Sequence, residues 1–397
     1  MKKTFLSRSL NWCFSIFAIF SLYPYIIWDN TYVYKALFLI IAFLSFIILI
    51  KNNISKINLK IFLVILAWIL YATFPREADE ITLFSTGMLS ILIFSLLPDN
   101  NKLYIFEKFK TILCIILAIS IIQYPMIVLG VVSSAGNLEP FSDIKISRGQ
   151  FYINYIFNIV LNDQHLSFGN YTLFRFSSIF DEPGLVGSIC AILYFTYPKN
   201  SRKNNIEKIV LIISTILSFS LGGYILFLIG CFINLLFNNT ASNKRNFILL
   251  MLAITIGLLS LSSTEGGRKY ITDRIWSDNT IAINKNNRVD DNFDKLYSNI
   301  YSNPIDFTFG LGKDAHAKTG FDVSSYKGFI YNYGIIGVLL ILYMFIYVII
   351  IKKCSLPAFV VPIIIIINSL QRPIEFNFYY YLIFLSVICY YEKNKKS

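Results

Sequence analysis

Charged side chains are scarce in this sequence, and histidine is almost missing. Asp, Glu, Lys and Arg make up 15% of the 397 residues, whereas a soluble protein of this size carries roughly a quarter. Only two residues are histidine, while 56% are hydrophobic and 17% are aromatic. These proportions exclude a soluble domain with a membrane tail and indicate a polytopic membrane protein.

Several signatures of other functions are also missing from the sequence. It contains no Walker A loop, no metalloprotease motif and no Ser-His-Asp arrangement, and two histidines are too few for a convincing zinc site. The cores of its apolar runs hold no ionisable residue, only amides such as Gln123 and Asn332. Because ion and proton paths usually need ionisable groups inside the membrane, this argues against an ion-coupled pump.

Apolar runs divide the chain into twelve predicted transmembrane helices. About 20 apolar residues span a bilayer as a helix, and shorter runs span within a packed bundle. The runs are 11–28, 34–50, 59–74, 81–97, 111–132, 183–197, 208–220, 222–237, 247–263, 329–351, 357–370 and 376–391. The first lacks a small-residue cleavage site, so we interpret it as a retained anchor. We expect an all-α polytopic integral membrane protein with a single membrane domain over residues 1–397.

The distribution of basic residues predicts how these helices are oriented. With an inside N-terminus, the inside segments carry 20 of the 35 basic residues but only 4 of the 23 acidic ones. Because cytoplasmic loops are enriched in Lys and Arg, we expect both termini in the cytoplasm. The net charge of +12 is then a topology signal and does not indicate nucleic-acid binding.

Two long polar stretches, 133–175 and 264–328, fall on the outer side in this topology. The first leads through Arg175, Asp181 and Glu182 to Pro183, which suits the first turn of a helix. An arginine there can bind a phosphate, and a nearby carboxylate can orient it or accept a proton from a sugar hydroxyl. The alternative is that Asp181 and Glu182 only cap a helix, with Arg175 marking the headgroup boundary.

The second stretch contains Arg288, His316 and an Asp-Asp-x-x-Asp spacing. Asp290 and Asp294 share a helix face and could hold Mg²⁺, but a solvated acidic face is the more common arrangement. His316 is a functional candidate or an ordinary surface histidine. Aromatic residues crowd both regions, among them Tyr171 and Tyr326; such rings can stack on sugars, but more often they form an interfacial belt.

At these residues the chain resembles the Wzy-type O-antigen polymerases, which are relatives of the O-antigen ligases. The resemblance has four ordered parts that cover about half of the chain. They are an Arg-x-x-x-x-Phe-x-Glu-Pro-x-x-x-Gly pattern (Arg175, Phe180, Glu182, Pro183, Gly187), a Ser-rich turn (Ser218–Gly223), an arginine upstream of Pro and Gly-x-Gly (Arg288, Pro304, Gly310, Gly312), and a return into the membrane through Tyr333–Gly337. Departures are a Ser-rich turn without arginine, and a segment Asp314–Lys318 without the His and Asn pair usual in ligases.

The resemblance implies a glycosyltransferase of the bacterial inner membrane that needs no cofactor and no metal. It would move a growing glycan from its undecaprenyl diphosphate carrier to a new lipid-linked repeat unit, at the periplasmic face. The expected partners are these repeat units, membrane lipids and a chain-length regulator protein, but no nucleic acid.

The expected site residues take two kinds of role. Arg175 and Arg288 would stabilise the leaving diphosphate, with Tyr171 and Tyr326 on the glycan. Glu182, His316 and Asp181 are the catalytic candidates.

Two other functions stay open at this point. An O-antigen ligase would differ only in its acceptor, the lipid A core. A lipid-linked oligosaccharide flippase also commonly has twelve spans, but it needs a polar path through them and tolerates short loops; this sequence shows the reverse on both counts.

Overall fold

The computed structural model describes residues 5–51, 54–74, 76, 84–141, 143–168, 171–197, 202–237, 276–277, 280–281, 291–321, 323, 325–354, 359–372 and 375–395. Within them the chain is mostly helical. The helices are α1 Phe5–Phe20, α2 Thr31–Lys51, α3 Lys56–Thr73, α4 Thr86–Leu96, α5 Asp99–Val128, α6 Asp143–Ser147, α7 Pro183–Tyr194, α8 Arg202–Leu217, α9 Leu221–Phe237, α10 Asp291–Ile300, α11 Pro304–Phe309, α12 Ala315–Lys318, α13 Tyr326–Ile351, α14 Val360–Gln371 and α15 Phe378–Lys395.

Eleven of the twelve predicted runs overlap one of these helices, and the run 247–263 lies outside the described residues. The first run was predicted to extend to residue 28, but α1 ends at Phe20. Helices α2, α3, α5 and α13 are long and apolar enough to cross a membrane. Helices α1, α4, α7, α9, α14 and α15 are apolar but shorter. The chain is therefore a helical membrane protein, and the number of its spans stays a prediction.

Helix α5 begins earlier than the sequence predicts. The segment before residue 111 was expected to be an inside loop, but it is helical from Asp99 onward. Asp99 accepts a hydrogen bond from the buried Lys352 at 2.7 Å and lies 3.6 Å from Nζ of the buried Lys102. Lys102 also donates to the carbonyl oxygen of Ser95 at 2.8 Å. A buried ammonium group needs such partners, because leaving it unpaired is costly.

The all-α prediction does not hold for the first polar stretch, which forms short strands. They are β1 Gly136–Leu138, β2 Tyr152–Asn154, β3 Ile159–Leu161, β4 His165–Phe168 and β5 Tyr171–Phe174, with β6 Trp276–Ser277 and β7 Thr280–Ile281 further along the chain. Strands β1, β2 and β3 form an antiparallel sheet, and β4 pairs with β5. Part of the reason is local: β2, β3 and β5 are rich in β-branched and aromatic residues, which favour the pleated conformation.

The chain divides into two compact units. Unit 1 comprises residues 1–22, 30–109 and 287–397, and unit 2 comprises 23–29 and 110–286. In unit 2 the β strands dock on a polar face of α5, where Ser120 hydrogen-bonds to the carbonyl oxygen of Phe157 at 2.6 Å and Tyr124 to that of Phe174 at 2.6 Å. Gln123 accepts a hydrogen bond from Asn158 at 2.9 Å. Gln123, an amide within the apolar run 111–132, thus anchors the first polar stretch to α5.

In unit 1, helix α13 is broken at Gly334. This residue has φ 63° and ψ −172°, a conformation that only glycine adopts at little cost. The break interrupts the helical hydrogen bonds, so the carbonyl groups before it need other donors. The main-chain N–H groups of Leu311 and Gly312 supply two of them, at 2.9 Å each to the carbonyl oxygens of Tyr331 and Asn332.

The segment after α11 approaches this break so closely that two positions require glycine. An added Cβ at Gly310 would lie 2.4 Å from the Asn332 carbonyl oxygen. At Gly334 it would lie 2.3 Å from the Thr308 carbonyl oxygen. Both positions also have positive φ. Gly310 of the Gly-x-Gly sequence and Gly334 of the Tyr333–Gly337 segment therefore lie next to each other.

We expect Gly334→Ala to destabilise the protein by about 3 kcal/mol or more, because it adds a main-chain clash to the cost of a positive φ. Gly320→Ala is the matched control. Gly320 has φ 73°, but nothing lies within 4 Å of its added Cβ, so we expect a loss of only about 1 kcal/mol. Unfolding temperatures in detergent measure both. Equal losses would contradict the close approach.

Candidate functional site

His316 lies in unit 1, where Asn332 holds it beside the break in α13. Oδ1 of the fully buried Asn332 accepts from the main-chain N–H of His316 at 2.9 Å and lies 3.1 Å from its Nδ1. The Asn332 amide nitrogen lies 2.8 Å from the same Nδ1. If Nδ1–H donates to Oδ1, Nε2 is an acceptor; if Nδ1 accepts from the amide, Nε2 carries the proton. Either way Asn332 orients the ring.

Arg76 belongs to the same cluster. Its Nη1 donates to the Asn332 carbonyl oxygen at 3.1 Å and its Nη2 to the Tyr71 carbonyl oxygen at 3.0 Å. The guanidinium carbon lies 4.4 Å from the centroid of the Tyr71 ring, a cation–π contact. Partial burial lowers the pKa of Arg76. Arginine nevertheless stays cationic, so the cluster has a fixed positive charge at the helix break.

The Tyr71 hydroxyl completes the set of donors around the break. It donates to the carbonyl oxygen of Tyr333 at 2.8 Å and lies 3.1 Å from that of Phe309. The carbonyl groups that lose their helical donors at the break therefore accept hydrogen bonds from Tyr71 in α3, from Arg76 after α3, and from the segment after α11. Backbone carbonyl groups away from water need such donors.

Glu375 lies half-buried in the turn between α14 and α15. Burial raises the pKa of the Glu375 carboxyl from 4.5 to about 7; the charge of Asp314 raises it as well, and Lys313 opposes both. Lys313 Nζ lies 3.7 Å from Asp314 Oδ2. The Glu375 carboxyl therefore changes charge near neutral pH. Glu375 is not one of the site residues predicted from the sequence, but its pKa responds to the charge of Asp314, the N-cap residue of α12.

Arg175 lies in unit 2, at the end of β5, and is only 9% exposed. Its Nε donates to the Ser218 carbonyl oxygen at 3.3 Å and its Nη1 to Gln164 Oε1 at 3.2 Å. The Ser-rich turn of the sequence pattern is thus bound directly to its arginine. An added Cβ at Gly187 would lie 2.6 Å from Ser218 Oγ, so α7 packs tightly on the same turn.

Asp181 and Glu182 have different surroundings. Lys145 Nζ donates to Asp181 Oδ1 at 2.8 Å, and the Tyr152 hydroxyl donates to the same oxygen at 2.7 Å. Burial and then the Asp181 charge raise the pKa of Tyr152 far above its usual range, which keeps its proton on the phenol. Glu182 is the N-cap of α7 but makes no side-chain hydrogen bond to it. Asp181 is therefore held by an ion pair and a hydrogen bond, and the catalytic roles expected of Asp181 and Glu182 stay predictions.

The other predicted residues are only partly located. Arg288 and Asp290 lie outside the described residues, and Tyr171 lies in β5 with its side chain outside them. Tyr326 is the first residue of α13 and is exposed. Asp294 pairs with Lys327 at 2.7 Å. Within the described part of the chain, no group of three or more His, Cys, Asp and Glu residues could hold a metal ion.

Arg175 and His316 fall in different units, so the expectation that both polar stretches contribute to one site stays a prediction. No protein-family model, curated protein or solved structure matches this chain. The resemblance to the O-antigen polymerases likewise stays a prediction. The interpretation of the site depends on the geometry of its residues.

Sequence reasoning missed three residues of the unit 1 cluster: Arg76, Asn332 and Glu375. Asn332 carries a usable signal, since a buried amide in an apolar run needs partners. Arg76 and Glu375 each lie in a short segment after an apolar run, and the predicted topology places both segments on the outer side. The charge bias of membrane loops concerns Lys and Arg on the inner side, so it selects neither residue. Both segments hold other charged residues as well, so a single charge in either one is too weak a signal to select Arg76 or Glu375.

The ion pair predicts how a change of Asp181 affects stability. We expect Asp181→Asn to destabilise unit 2 by about 1–3 kcal/mol, because the half-buried Lys145 loses its carboxylate. A double-mutant cycle with Lys145→Met measures the coupling. An uncoupled Asp181 and Lys145 would contradict this assignment.

The raised pKa of Glu375 predicts a pH-dependent stability. The folded protein holds this proton more tightly than the unfolded chain, so stability falls as pH rises from about 4.5 to about 7. Glu375→Gln removes the buried charge, and we expect its unfolding temperature to exceed that of the wild type by about 2 °C or more at pH 8. At pH 5 the two proteins should agree more closely. A constant difference between pH 5 and pH 8 would contradict the assigned pKa.

Proposed function

We propose that this protein is a polysaccharide polymerase of the bacterial inner membrane. It has twelve spans with both termini in the cytoplasm, and its polar clusters face the periplasm. It transfers the growing glycan from an undecaprenyl diphosphate carrier to a new lipid-linked repeat unit. The reaction needs no nucleotide sugar, because the donor arrives already activated by its diphosphate.

The observation that supports this proposal most strongly is the polar cluster at the break in α13. His316 and Arg76 both contact Asn332 where an apolar helix is interrupted, with hydrogen-bond distances of 3.1 Å or less. Irregular backbone at membrane depth is tolerated mainly where it is buried in protein or lines a cavity, and interrupted helices in membrane transporters commonly form ligand sites. Such a cluster suits a substrate that is itself anchored in the bilayer.

The chemistry assigns one task to each group. The acceptor hydroxyl loses its proton and attacks the anomeric carbon of the donor, while the bond from that carbon to the diphosphate oxygen breaks. His316 takes the proton at Nε2 when Nδ1–H donates to Asn332. Arg175 and Arg288 are the proposed cations for the leaving diphosphate, and Glu182 orients Arg175. Arg76 places a cation at the helix break, where it donates to the Asn332 carbonyl oxygen.

An O-antigen ligase is the second candidate, and one observation favours it. Ligases usually show a histidine with an asparagine near the end of the large loop. His316 has no such neighbour in sequence, but it pairs with Asn332 in space. The acceptor would then be the lipid A core instead of another repeat unit.

Deleting the gene and separating the lipopolysaccharide on a gel distinguishes these functions. Loss of the long-chain ladder with retention of a single-repeat band supports the polymerase. Loss of every repeat supports a ligase or a flippase. An unchanged lipopolysaccharide profile would contradict the glycosyltransferase proposal.

His316 and His165 form a matched pair for testing the site. We expect complementation with His316→Ala to lower polymerisation by about 100-fold or more, the usual range for loss of a general base. His165 is exposed on β4, and His165→Ala should restore the full ladder. Protein levels are compared by immunoblot. Normal ladders from both variants would remove His316 from the mechanism.

A further inference from the structure

We propose that the Tyr333 hydroxyl and the Glu375 carboxylate form a subsite that binds a hydroxyl group of a neutral sugar. The inference depends on the proposed function, because the sugar would belong to the lipid-linked acceptor. Neither residue is among those to which a catalytic or diphosphate-binding role has been assigned above. The subsite lies wholly within unit 1.

The first observation is a buried hydroxyl group. Tyr333 is 0% exposed, and among the described residues its hydroxyl has no hydrogen-bond partner. The ring itself is held by aromatic neighbours, with centroids 5.4 Å from Trp68 and 5.0 Å from Phe329. A buried hydroxyl without a partner is unfavourable, so each such group in a folded protein calls for an explanation. A ligand hydroxyl that accepts from it would supply one.

The second observation is the set of charged and polar groups around that hydroxyl. The Phe376 ring, next to Glu375 in the chain, lies 6.5 Å from the Tyr333 ring, centroid to centroid. The turn that carries Glu375 is fixed, because the Tyr381 hydroxyl donates to its main-chain oxygen at 3.0 Å. Glu375, Asp314 and Arg76 act electrostatically on the Tyr333 phenol, and Asp314 and Lys313 act on Glu375. Tyr333 thus supplies a donor and Glu375 an acceptor on neighbouring parts of unit 1.

This pair of groups matches a sugar hydroxyl better than a phosphate. A hydroxyl both donates and accepts, so it can donate to the carboxylate while it accepts from the phenol. A phosphate only accepts, so it cannot donate to the Glu375 carboxylate, and it carries the same sign of charge as that group. The Phe376 ring, next to Glu375 in the chain, stacks on Trp68 with centroids 5.9 Å apart. It continues the aromatic wall beside the acid.

Binding should depend on pH through the acceptor group. Glu375 accepts from a sugar hydroxyl in its ionised form, and its carboxyl titrates at about pH 7. Protonation near pH 6 leaves only an uncharged and weaker acceptor, so sugar affinity should rise between pH 6 and pH 8. The groups that face Glu375 are Asp314, Lys313, Tyr333 and Tyr381. None of them has an ordinary side-chain pKa inside this interval.

The test measures binding and folding separately in the full-length protein in lipid nanodiscs. The probe is the oligosaccharide released by mild acid from the host's own lipid-linked repeat units, and affinity is followed by saturation-transfer NMR. We expect Tyr333→Phe to weaken binding about tenfold without lowering the unfolding temperature, because the lost hydroxyl has no hydrogen-bond partner among the described residues. Tyr343→Phe, at an exposed position of the same helix, should change neither.

Glu375→Gln should also weaken binding about tenfold at pH 8 and abolish the rise in affinity between pH 6 and pH 8. Unchanged affinity in Tyr333→Phe, or loss of thermal stability alone, would overturn the subsite and leave a structural tyrosine. Absence of binding by the wild type, in a strain whose ladder depends on the gene, overturns the subsite but keeps the proposed function. An unchanged lipopolysaccharide profile after gene deletion overturns the proposed function instead.

Discussion

The interruption of α13 at Gly334 is the constraint on which the rest of unit 1 depends. A broken main chain inside an apolar helix leaves carbonyl groups without their helical donors, so the protein must provide others. Tyr71, Arg76 and the segment after α11 provide them. Because Gly310 must approach within contact of Asn332, the segment that follows it, with His316, is held next to the break. The polar cluster is thus a consequence of satisfying the backbone.

Unit 2 solves a related problem with different groups. Arg175 is nearly buried, and it is tolerated because a main-chain carbonyl and the Gln164 amide accept its hydrogen bonds. Asp181 is matched by Lys145 and Tyr152. Charges near membrane helices are costly unless paired or hydrogen-bonded. In this unit both charges have hydrogen-bonded partners, so each is accommodated near the membrane helices.

Hydropathy predicted the helices well, and it could not predict the tertiary contacts. The run 329–351 corresponds to α13, but hydropathy carries no information on a break at Gly334. The β strands of the first polar stretch were missed because each is only three or four residues long, too short for a periodic signal. His316 was selected because histidine is rare, whereas Asn332 acquires its role only through a contact sixteen residues away along the chain. Arg76 and Glu375 depend on contacts from even further along the chain, and no local pattern marks them.

The claim that most needs a direct test is that the cluster at the break opens to the outer side of the membrane. Ala317 is exposed in α12, and Lys353 is exposed just beyond the other end of α13. Each is replaced by cysteine in a variant whose six native cysteines are removed, and whole cells with a permeabilised outer membrane are treated with a membrane-impermeant maleimide. The account predicts that position 317 is labelled in these cells and position 353 only after lysis. Labelling of position 353 without position 317 would contradict it.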